Sequence, residues 1–444
     1  MNNSEKKETL LQICNILIND NKLRYYNCEI YRFNGKIYCL DYDNLKLQVL
    51  NIDNNATPKK QYDVIENLKL VLKNAQAETG LLTIDHNYIA FQNVLYNLKT
   101  GKTEEFNSDV FIINQLAIDY IEFTTSLPFI HEFLNSISSN NPKRKQAILE
   151  MIGYCMTAKT DLQLAFVLYG PEAGNGKSTL IDLMRKVIGE ENVSDLSLKE
   201  MSNNRFGLVE VKGKLVNVSS EMTNEVVKDL EAFKKIVTSD VVKGEKKFIQ
   251  ERETFRSQAK IIMIANELPI IPKDNGFYRR LHIIPLEHVF TKEEKANFKN
   301  ELHTIMTEIA IQDYLGYISL KAYEEMRNNN SDFSNYEESE VILDKYKTSN
   351  DNIMQFVKDN DNLKDYFNNK VAVTENMKAI TIRHNNKSQQ AIKTSSLFTL
   401  YKWYCNECSY KPSGKHKFFS SIEERLKVVT RITNNGIEYF ILNE

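Results

Sequence analysis

The segment from Leu164 to Ile188 constrains the fold of this chain more than any other part of the sequence. It begins with an apolar run rich in aromatic and β-branched residues, which predicts a buried strand. A loop with three glycines follows, and Lys-Ser-Thr then opens a stretch with the apolar spacing of a helix. Gly174 and Gly176 allow the loop to turn its N–H groups toward an anion, and the helix start adds the positive end of its dipole. A strand, a loop and a helix in this order predict a phosphate-binding site.

The residues of this loop predict ATP and Mg²⁺ as ligands. We expect Lys177 to reach the β- and γ-phosphates and the Ser178 hydroxyl to ligate Mg²⁺. The other residues expected to contact the nucleotide belong to the loop and the helix start: Gly170, Pro171, Glu172, Ala173, Gly174, Asn175, Gly176 and Thr179.

The spacing of the loop departs from the common pattern, in which four residues separate the first glycine from Gly-Lys-Ser/Thr. Five residues separate Gly170 from Gly176, so Pro171 occupies the position of the first glycine. Either the loop is one residue longer than usual, or its first turn is built differently. A chance Gly-Lys-Ser at a helix start is the alternative, and the flanking strand and helix argue against it.

Three further core strands are predicted after the loop, each with a polar residue at one end. The strand that begins at residue 215 ends at Glu221, where a carboxylate could hold Mg²⁺ or orient the attacking water. The strand 260–265 ends at Asn266, whose amide can reach a γ-phosphate, although Asn is also common there for turn reasons. Arg279 and Arg280 precede the last strand, and an arginine that reaches a neighbouring subunit's γ-phosphate would neutralise transition-state charge. A surface arginine pair is the alternative.

Lysines cluster on a predicted hairpin between the first and second of these strands. Val241-Val242 and Phe248-Ile249 are β-like arms, and the turn between them carries Lys243, Lys246 and Lys247. Such a hairpin suits phosphate contacts along a nucleic-acid backbone. An ordinary solvated turn explains the same pattern equally well.

Length and composition limit the class of protein. The chain has 444 residues and a formal net charge of −2, so a nucleic-acid site must be a local patch. Six cysteines in a chain of this length do not suggest a disulfide framework. Neither a signal peptide nor a run long enough for a membrane span is evident, and we expect a cytoplasmic location.

The remaining segments predict an α/β protein with accessory domains on both sides of the nucleotide-binding core. In the N-terminal part, helices are expected at 1–20 and 62–77, with short β-like pieces between 24 and 50. The expected domains are a small N-terminal accessory α+β domain, a helical segment, the nucleotide-binding core, a linker and a C-terminal domain, at 1–120, 121–161, 162–330, 331–370 and 371–444.

The C-terminal domain differs from the rest of the chain in charge. Residues 371–433 carry 11 Lys and Arg against 4 Asp and Glu, with aromatic residues interleaved. Predicted helices at 395–405 and 420–428 precede a hairpin whose turn is Asn434-Asn435-Gly436. Helices followed by a β-wing predict a winged-helix-like domain that binds duplex DNA.

Taken in order, these motifs resemble the superfamily 3 helicase module. The closer resemblance is to the helicase half of phage and plasmid primase–helicases and to replication initiators of phage-inducible genomic islands. It covers about residues 88–290 and is carried by Gly-Asn-Gly-Lys-Ser-Thr, the strand that ends in Ser-Glu, Thr-Ser-Asp with the lysine hairpin, Ile-Ala-Asn-Glu-Leu-Pro, and Arg-Arg before Ile-Pro.

The resemblance implies an AAA+-like P-loop ATPase that forms a ring, usually a hexamer, with ATP between subunits and a hairpin lysine on single-stranded DNA. Carried over residue by residue, Lys177 and Ser178 hold phosphate and Mg²⁺, and Glu221 is the Walker B acid. Asn266 is the sensor, and the arginine finger and the DNA-contacting lysine each have two candidates: Arg279 or Arg280, and Lys246 or Lys247. Many relatives carry two acids where this chain has Ser220-Glu221, so the general base stays open.

The function that the resemblance implies is ATP-dependent DNA unwinding in replication initiation of a phage, plasmid or genomic island. Single-stranded and duplex DNA are the expected partners, together with a primase or other replication proteins. The alternative is an origin-binding initiator that uses ATP binding only as a switch, and the arginine pair and Asn266 argue for hydrolysis instead. A small-substrate kinase fits the loop, but it explains neither the lysine hairpin nor the basic C-terminal domain.

Overall fold

The computed structural model describes most of the chain: residues 3–79, 82–170, 172–203, 207–219, 229–245, 252–269, 274–360, 380–384, 387–407, 412–432 and 437–442. Two compact units make up the chain, residues 1–341 and 342–444. None of the helices in the described ranges combines the length and the apolarity that a bilayer crossing needs.

The first unit begins with three helices and a three-stranded antiparallel sheet. These elements are α1 (Asn3–Asp20), β1 (Leu23–Tyr26), β2 (Glu29–Phe33), β3 (Tyr38–Cys39), α2 (Tyr42–Ile52) and α3 (Pro58–Thr79). The expectation of β-structure up to residue 50 is wrong for α2. The Asp41 side chain accepts a hydrogen bond from Asn44 N and caps this helix, and Leu45 and Val49, one helical turn apart, are fully buried.

A second antiparallel sheet and two helices lead into the core. They are β4 (Tyr88–Ala90), β5 (Leu95–Asn97), β6 (Lys102–Glu104), α4 (Pro128–Ile137) and α5 (Pro142–Cys155). The helices begin with proline in the first turn, and the Asn141 side chain caps α5 by accepting from two backbone N–H groups. The segment 121–161 that was expected to be helical thus contains helices at 128–137 and 142–155, whereas its two ends and residues 138–141 are not helical.

The core alternates strands and helices. Its elements are β7 (Ala165–Tyr169), α6 (Lys177–Ile188), β8 (Val193–Ser194), α7 (Leu198–Asn203), β9 (Val216–Ser219), α8 (Glu231–Val237), β10 (Val241–Glu245), β11 (Arg252–Arg256), β12 (Lys260–Ala265), α9 (Asn275–Tyr278) and β13 (Leu281–Pro285). Short 3₁₀ turns cover 190–192 and 207–211. Five of the strands form one parallel sheet in the order β13-β7-β12-β9-β8. Parallel strands need helical crossovers that cover the sheet, which explains why these strands are almost wholly buried.

The remaining two core strands, β10 and β11, form the lysine hairpin. Strand β10 continues to Glu245 and pairs with residues 252–256. Val242 and Phe255 face each other across the hairpin and are both buried, which sets this register. Lys243 therefore lies in a strand and not in the turn. The second arm proposed at 248–249 lies outside the described residues.

Three helices follow the sheet: α10 (Lys292–Thr307), α11 (Ile309–Asn328) and α12 (Tyr336–Asn350). Helix α11 packs against α5 so closely that a Cβ on Gly153 would lie 2.2 Å from the Ser319 carbonyl oxygen. This contact holds the helical segment before the core against the helix after it.

The described part of the second unit contains three complete helices and a four-stranded antiparallel sheet in the order β14-β15-β17-β16. After the end of α12, its elements are α13 (Asn352–Asp359), β14 (Ile380–His384), β15 (Lys387–Lys393), α14 (Thr394–Glu407), α15 (Lys415–Leu426), β16 (Val428–Ile432) and β17 (Glu438–Leu442). Its core includes Phe356, Tyr401, Phe418 and Phe440. The two helices and the last two strands match the predicted pattern, whereas β14 and β15 were not expected.

Candidate nucleotide-binding site

The phosphate loop lies at the carboxyl edge of the parallel sheet. Strands β7 and β12 are neighbours and run in the same direction, so Gly170 and Asn266, which directly follow them, lie side by side. Strand β9, which leads to the predicted acid Glu221, is the next neighbour of β12. Glu221 itself lies outside the described residues. The strand order therefore brings the phosphate loop and the sensor position together from sites 89 residues apart.

The loop is shaped by close backbone approaches that only glycine permits. A Cβ on Gly170 would lie 2.0 Å from the Asn175 side-chain nitrogen and 2.4 Å from the Leu286 carbonyl oxygen. Gly174 and Gly176 have φ values of 82° and 81°, which side-chain-bearing residues rarely adopt. Gly176 is the N-cap of α6, so the helix begins at Lys177. Gly170 is thus required because a side chain would clash there, and Gly174 and Gly176 are required because of their positive φ values. Pro171 lies outside the described residues.

The segment after β13 holds the loop in place. Asn175 is almost fully buried, and its side-chain nitrogen donates to Glu172 O at 2.9 Å and to Leu286 O at 3.0 Å. Phe290 N donates to Gly174 O at 3.1 Å. Because buried amide donors that are fully used stabilise one arrangement, this bracing gives the loop a defined shape.

Lys177 connects the loop to the sensor position. Its Nζ donates to Gly170 O at 2.8 Å, to Glu172 O at 3.4 Å and to Asn266 Oδ1 at 2.7 Å. The lysine is 6% exposed, and its ammonium is surrounded by oxygen acceptors of the kind that a phosphate also offers. Two predicted site residues, Lys177 and Asn266, are thus in direct contact.

The exposed side of the loop leaves room for a ligand. Glu172, Ala173, Gly174 and Ser178 are exposed, and Ser178 lies in the first turn of α6, next to the backbone N–H groups of the helix start. Positive-φ glycines, a lysine and a hydroxyl at a helix N-terminus are the donor set that a nucleotide triphosphate with Mg²⁺ requires. The residues present therefore fit these ligands.

A second lysine lies over the loop, and the sequence analysis missed it. A Cβ on Gly174 would lie 2.8 Å from Lys295 Nζ, so this ammonium sits directly against the loop. Helix α10 is oriented by a capping box between Thr291 and Glu294, which places Lys295 in its first turn. Sequence carries no signal for this contact, because Lys295 has the spacing of an ordinary solvated helix lysine.

The two arginines lie at the opposite edge of the sheet. Strand β13 pairs in parallel with β7 from Leu281–Ala165 to Pro285–Tyr169, so the arginines precede the amino end of β13. Four strand steps of about 3.3 Å separate this edge from the phosphate loop, which is roughly 13 Å. Neither arginine is therefore placed at the phosphate loop of its own chain.

Arg279 and Arg280 differ in exposure and in partners. Arg279 is exposed, whereas Arg280 is buried and donates through Nη1 to Gly276 O. Burial and then the charge of Arg279 lower the pKa of Arg280, while Asp274 and Asp240 oppose this effect. Arg279 is the guanidinium that faces solvent.

The predicted DNA-contacting lysines are only partly described. Lys243 is exposed on β10, on the face opposite buried Val242. Lys246 and Lys247 lie outside the described residues. Strand β11 is followed after three residues by β12, so the hairpin is joined directly to the strand that ends at Asn266.

Comparisons with known proteins agree with the resemblance drawn from the motifs. The family model "D5 N terminal like" matches residues 43–139, and a family of unknown function, DUF5906, matches residues 168–280. No curated protein matches the chain. The match to the D5 N-terminal-like family supports the resemblance to a phage-type primase–helicase.

Solved structures of the C-terminal region of NrS-1 have a similar fold. Two apo structures align with a TM-score of 0.53 at 11% and 12% identity, and a third aligns with a TM-score of 0.50 at 13% identity. They cover 97–98% of this chain and 99–100% of the matched chains. At this identity the similarity concerns the fold alone.

We predict that Asn175→Ala weakens nucleotide binding about 5–30-fold, which corresponds to ~1–2 kcal/mol for two lost hydrogen bonds. The change leaves the carbonyl groups of Glu172 and Leu286 without this donor, so the loop loses its brace. The measurement is the dissociation constant of a fluorescent ATP analogue.

Asn192→Ala is the matched control for this prediction. Asn192 is also buried and also donates to two carbonyl oxygens, of Gln115 and Ile188, but at the other end of α6. It should lower stability without changing nucleotide affinity. Equal affinities for Asn175→Ala and wild type would refute the bracing role.

Proposed function

We propose that this chain is an ATP-dependent, ring-forming DNA helicase that unwinds DNA in replication initiation of a phage, plasmid or genomic island. The contact between Lys177 Nζ and Asn266 Oδ1, at 2.7 Å across two neighbouring strands, is the observation that carries the proposal. It joins Lys177, the proposed phosphate-binding lysine, to Asn266, which directly follows β12. The lysine hairpin directly precedes β12 in the chain. The match to the D5 N-terminal-like family supports a role in replication.

In the proposed site, the loop binds the triphosphate of ATP. Lys177 exchanges its carbonyl and amide acceptors for the β- and γ-phosphates, and Lys295 approaches the same phosphates from α10. Ser178, and Glu221 after β9, would hold Mg²⁺, which would supply positive charge against the negative charge that develops in the reaction.

Asn266 is proposed to orient the attacking water or to bond the γ-phosphate. When a phosphate binds the Lys177 ammonium, the ammonium no longer donates to Asn266. The Asn266 amide can then turn toward the γ-phosphate or the water. The water oxygen then attacks the γ-phosphorus while the bond to the bridging oxygen of ADP breaks, and Glu221 is the candidate acceptor for the proton. The Lys177–Asn266 contact would thus change with the nucleotide state.

Strand β12 offers a direct connection from this site to DNA. It carries Asn266 at one end and is joined at the other end to the hairpin that bears Lys243. A shift of β12 on hydrolysis would therefore move the hairpin, whose lysines we propose contact single-stranded DNA: Lys243, Lys246 and Lys247. Packed protein interiors have low compressibility and transmit strain, so a shift at one end of β12 would reach its other end.

Arg279 is the arginine finger of the proposal and acts on the ATP of a neighbouring subunit. Its own phosphate loop lies at the other edge of the sheet, and its guanidinium faces solvent, whereas that of Arg280 turns back to Gly276 O. A ring, proposed to be a hexamer, would bring the amino edge of one sheet to the exposed phosphate loop of the next. The finger would neutralise the charge that develops in the transition state.

The second unit is proposed to be a winged-helix-like module for duplex DNA. Helix α15 begins with Lys415, His416 and Lys417, all exposed, and a buried aromatic core holds the helix on the sheet. Lys415 Nζ and Lys402 Nζ each lie over a phenylalanine ring, at 5.1 Å and 4.8 Å from its centre, and Lys415 Nζ also lies 3.8 Å from Glu438 Oε2. Both lysine side chains are nevertheless exposed. A primase or another replication protein is the further partner that we propose.

We predict that two inactive variants complement each other when mixed. Lys177→Ala cannot bind the triphosphate, and Arg279→Ala lacks the finger, so each alone should lose almost all hydrolysis. In a mixed ring, an intact loop of the Arg279→Ala subunit can meet an intact finger of the Lys177→Ala subunit. Random mixing in equal amounts should restore roughly a quarter of the sites of a closed ring. The measurement is phosphate release after the subunits are allowed to exchange.

Mixing Lys177→Ala with Arg280→Ala provides the comparison. If Arg280 is only structural, Arg280→Ala alone retains hydrolysis, and its mixture with Lys177→Ala shows only the diluted activity of Arg280→Ala. Failure of the Arg279→Ala mixture to recover, in rings that do form, would contradict a finger supplied by the neighbour.

We predict that replacing Lys415 and Lys417 with alanine weakens duplex binding at low salt. Each lost phosphate contact lowers the slope of log affinity against log salt by about 0.9, so the double variant should lose up to about 2. The control is Lys345→Ala with Lys358→Ala, which removes the same charge from exposed positions on α12 and α13. Equal slopes for the two double variants would contradict a DNA contact by α15.

A further inference from the structure

Three charged side chains that play no part in the proposed mechanism meet between the N-terminal sheet and the hairpin. Lys212 Nζ lies 3.0 Å from Glu253 Oε2 and 3.5 Å from Glu29 Oε1. The three side chains are only 10%, 15% and 14% exposed. Charges this well buried hold a defined geometry, unlike ion pairs on an open surface.

Each of the three residues belongs to a different part of the fold. Glu29 opens β2 of the N-terminal sheet, and Glu253 lies in β11 of the hairpin, opposite Gly244. Lys212 lies in the turn between the 3₁₀ segment 207–211 and β9 of the core sheet. One lysine therefore joins the N-terminal sheet, the core and the hairpin.

The N-terminal side of this contact is tightly held. The Tyr42 hydroxyl donates to Glu29 Oε2 at 2.7 Å and accepts from Ile30 N at 3.0 Å. One carboxylate oxygen of Glu29 thus pairs with Tyr42 and the other with Lys212. Burial raises the pKa of Tyr31, with further contributions from Tyr26, Glu29 and Glu253, so this ring lies close to both carboxylates.

Lys212 pairs with both carboxylates and so favours their approach to one another. Without its charge, the like charges of Glu29 and Glu253 would be less compensated in a largely buried environment. Strand β11 would then lose this link to the N-terminal sheet, while the phosphate loop, at the carboxyl edge of the core sheet, would keep all of its contacts.

We propose that Lys212 is a positioning residue through which the N-terminal domain sets the position of the DNA hairpin. This inference rests on the proposed helicase function and gives the N-terminal domain a role in it. Glu253 pairs with Gly244, one pair before the last one that the structure describes ahead of the turn, so this contact holds the hairpin near its turn. A hairpin held there keeps a defined position relative to the N-terminal sheet as β12 moves at its base, whereas a hairpin without this contact pivots. The number of base pairs unwound per ATP therefore depends on Lys212.

The experiment compares full-length Lys212→Met with wild type in two assays. ATP hydrolysis without DNA should stay within about twofold, because no residue of the nucleotide site is changed. Base pairs unwound per ATP, and the stimulation of hydrolysis by single-stranded DNA, should each fall about tenfold. Lys212→Arg should restore most of both, because it keeps the charge.

Glu253→Gln tests the same contact from the hairpin side and keeps the shape of the side chain. It should reproduce the coupling defect, and the double variant with Lys212→Met should be no worse than either change alone, as expected for one shared interaction. Lys214→Met is the matched control. Lys214 is two residues away, and its Nζ donates to Glu191 O, so its loss should leave coupling unchanged.

The outcomes separate this inference from the function on which it rests. If wild type is stimulated by DNA but Lys212→Met and Glu253→Gln keep the wild-type ratio of unwinding to hydrolysis, the contact is only structural and the inference is overturned. An equal loss of hydrolysis with and without DNA would overturn it as well. If wild-type hydrolysis ignores DNA, both the helicase function and this inference fall.

Discussion

The order of strands in the parallel sheet makes the hydrogen bond between Lys177 and Asn266 possible. Most of the candidate site depends on this hydrogen bond. It requires β7 and β12 to be neighbours that end at the same edge, so that a loop lysine can reach a strand-end amide. The loop then packs against the segment that follows β13. Gly170 leaves no room for a side chain there, and the buried side chain of the loop residue Asn175 donates to Leu286 O in that segment. A lysine that already donates to three oxygen acceptors is prepared for phosphate, because phosphate oxygens can replace those acceptors without rearrangement of the sheet.

The two edges of this sheet have different tasks in the proposed mechanism. The carboxyl edge carries the phosphate loop, Asn266 and the nearby Lys295. The amino edge carries Arg279 and the base of the hairpin, and β12 runs from one edge to the other. An arginine at the amino edge can act on ATP only if that ATP is bound to a neighbouring subunit, so the proposed finger requires the proposed ring. The Lys212 contact adds the N-terminal domain to the hairpin side of this arrangement.

Local sequence patterns predicted the core of this fold well. The strand 260–265 was predicted with the bounds that the structure shows, because a continuous apolar run between polar residues specifies a buried strand. Residues 42–52 were misjudged, since Asp and Asn can open a helix as well as close a turn. The hairpin register depends on the pairing of Val242 with Phe255, which local patterns do not contain.

Lys295 and Lys212 act through contacts between residues distant in the chain, so no short motif could reveal them. The assigned roles of the predicted site residues stay predictions, and Glu221, Lys246 and Lys247 lie outside the described residues.

Hydrolysis of ATP by the purified full-length chain, with and without single-stranded and forked DNA and beside Lys177→Ala, tests the central claim most directly. A DNA motor predicts hydrolysis that DNA stimulates strongly and that Lys177→Ala abolishes. Hydrolysis that is indifferent to DNA would contradict the motor and favour an initiator that uses ATP as a switch. Unchanged hydrolysis in Lys177→Ala would contradict the assignment of the phosphate loop itself.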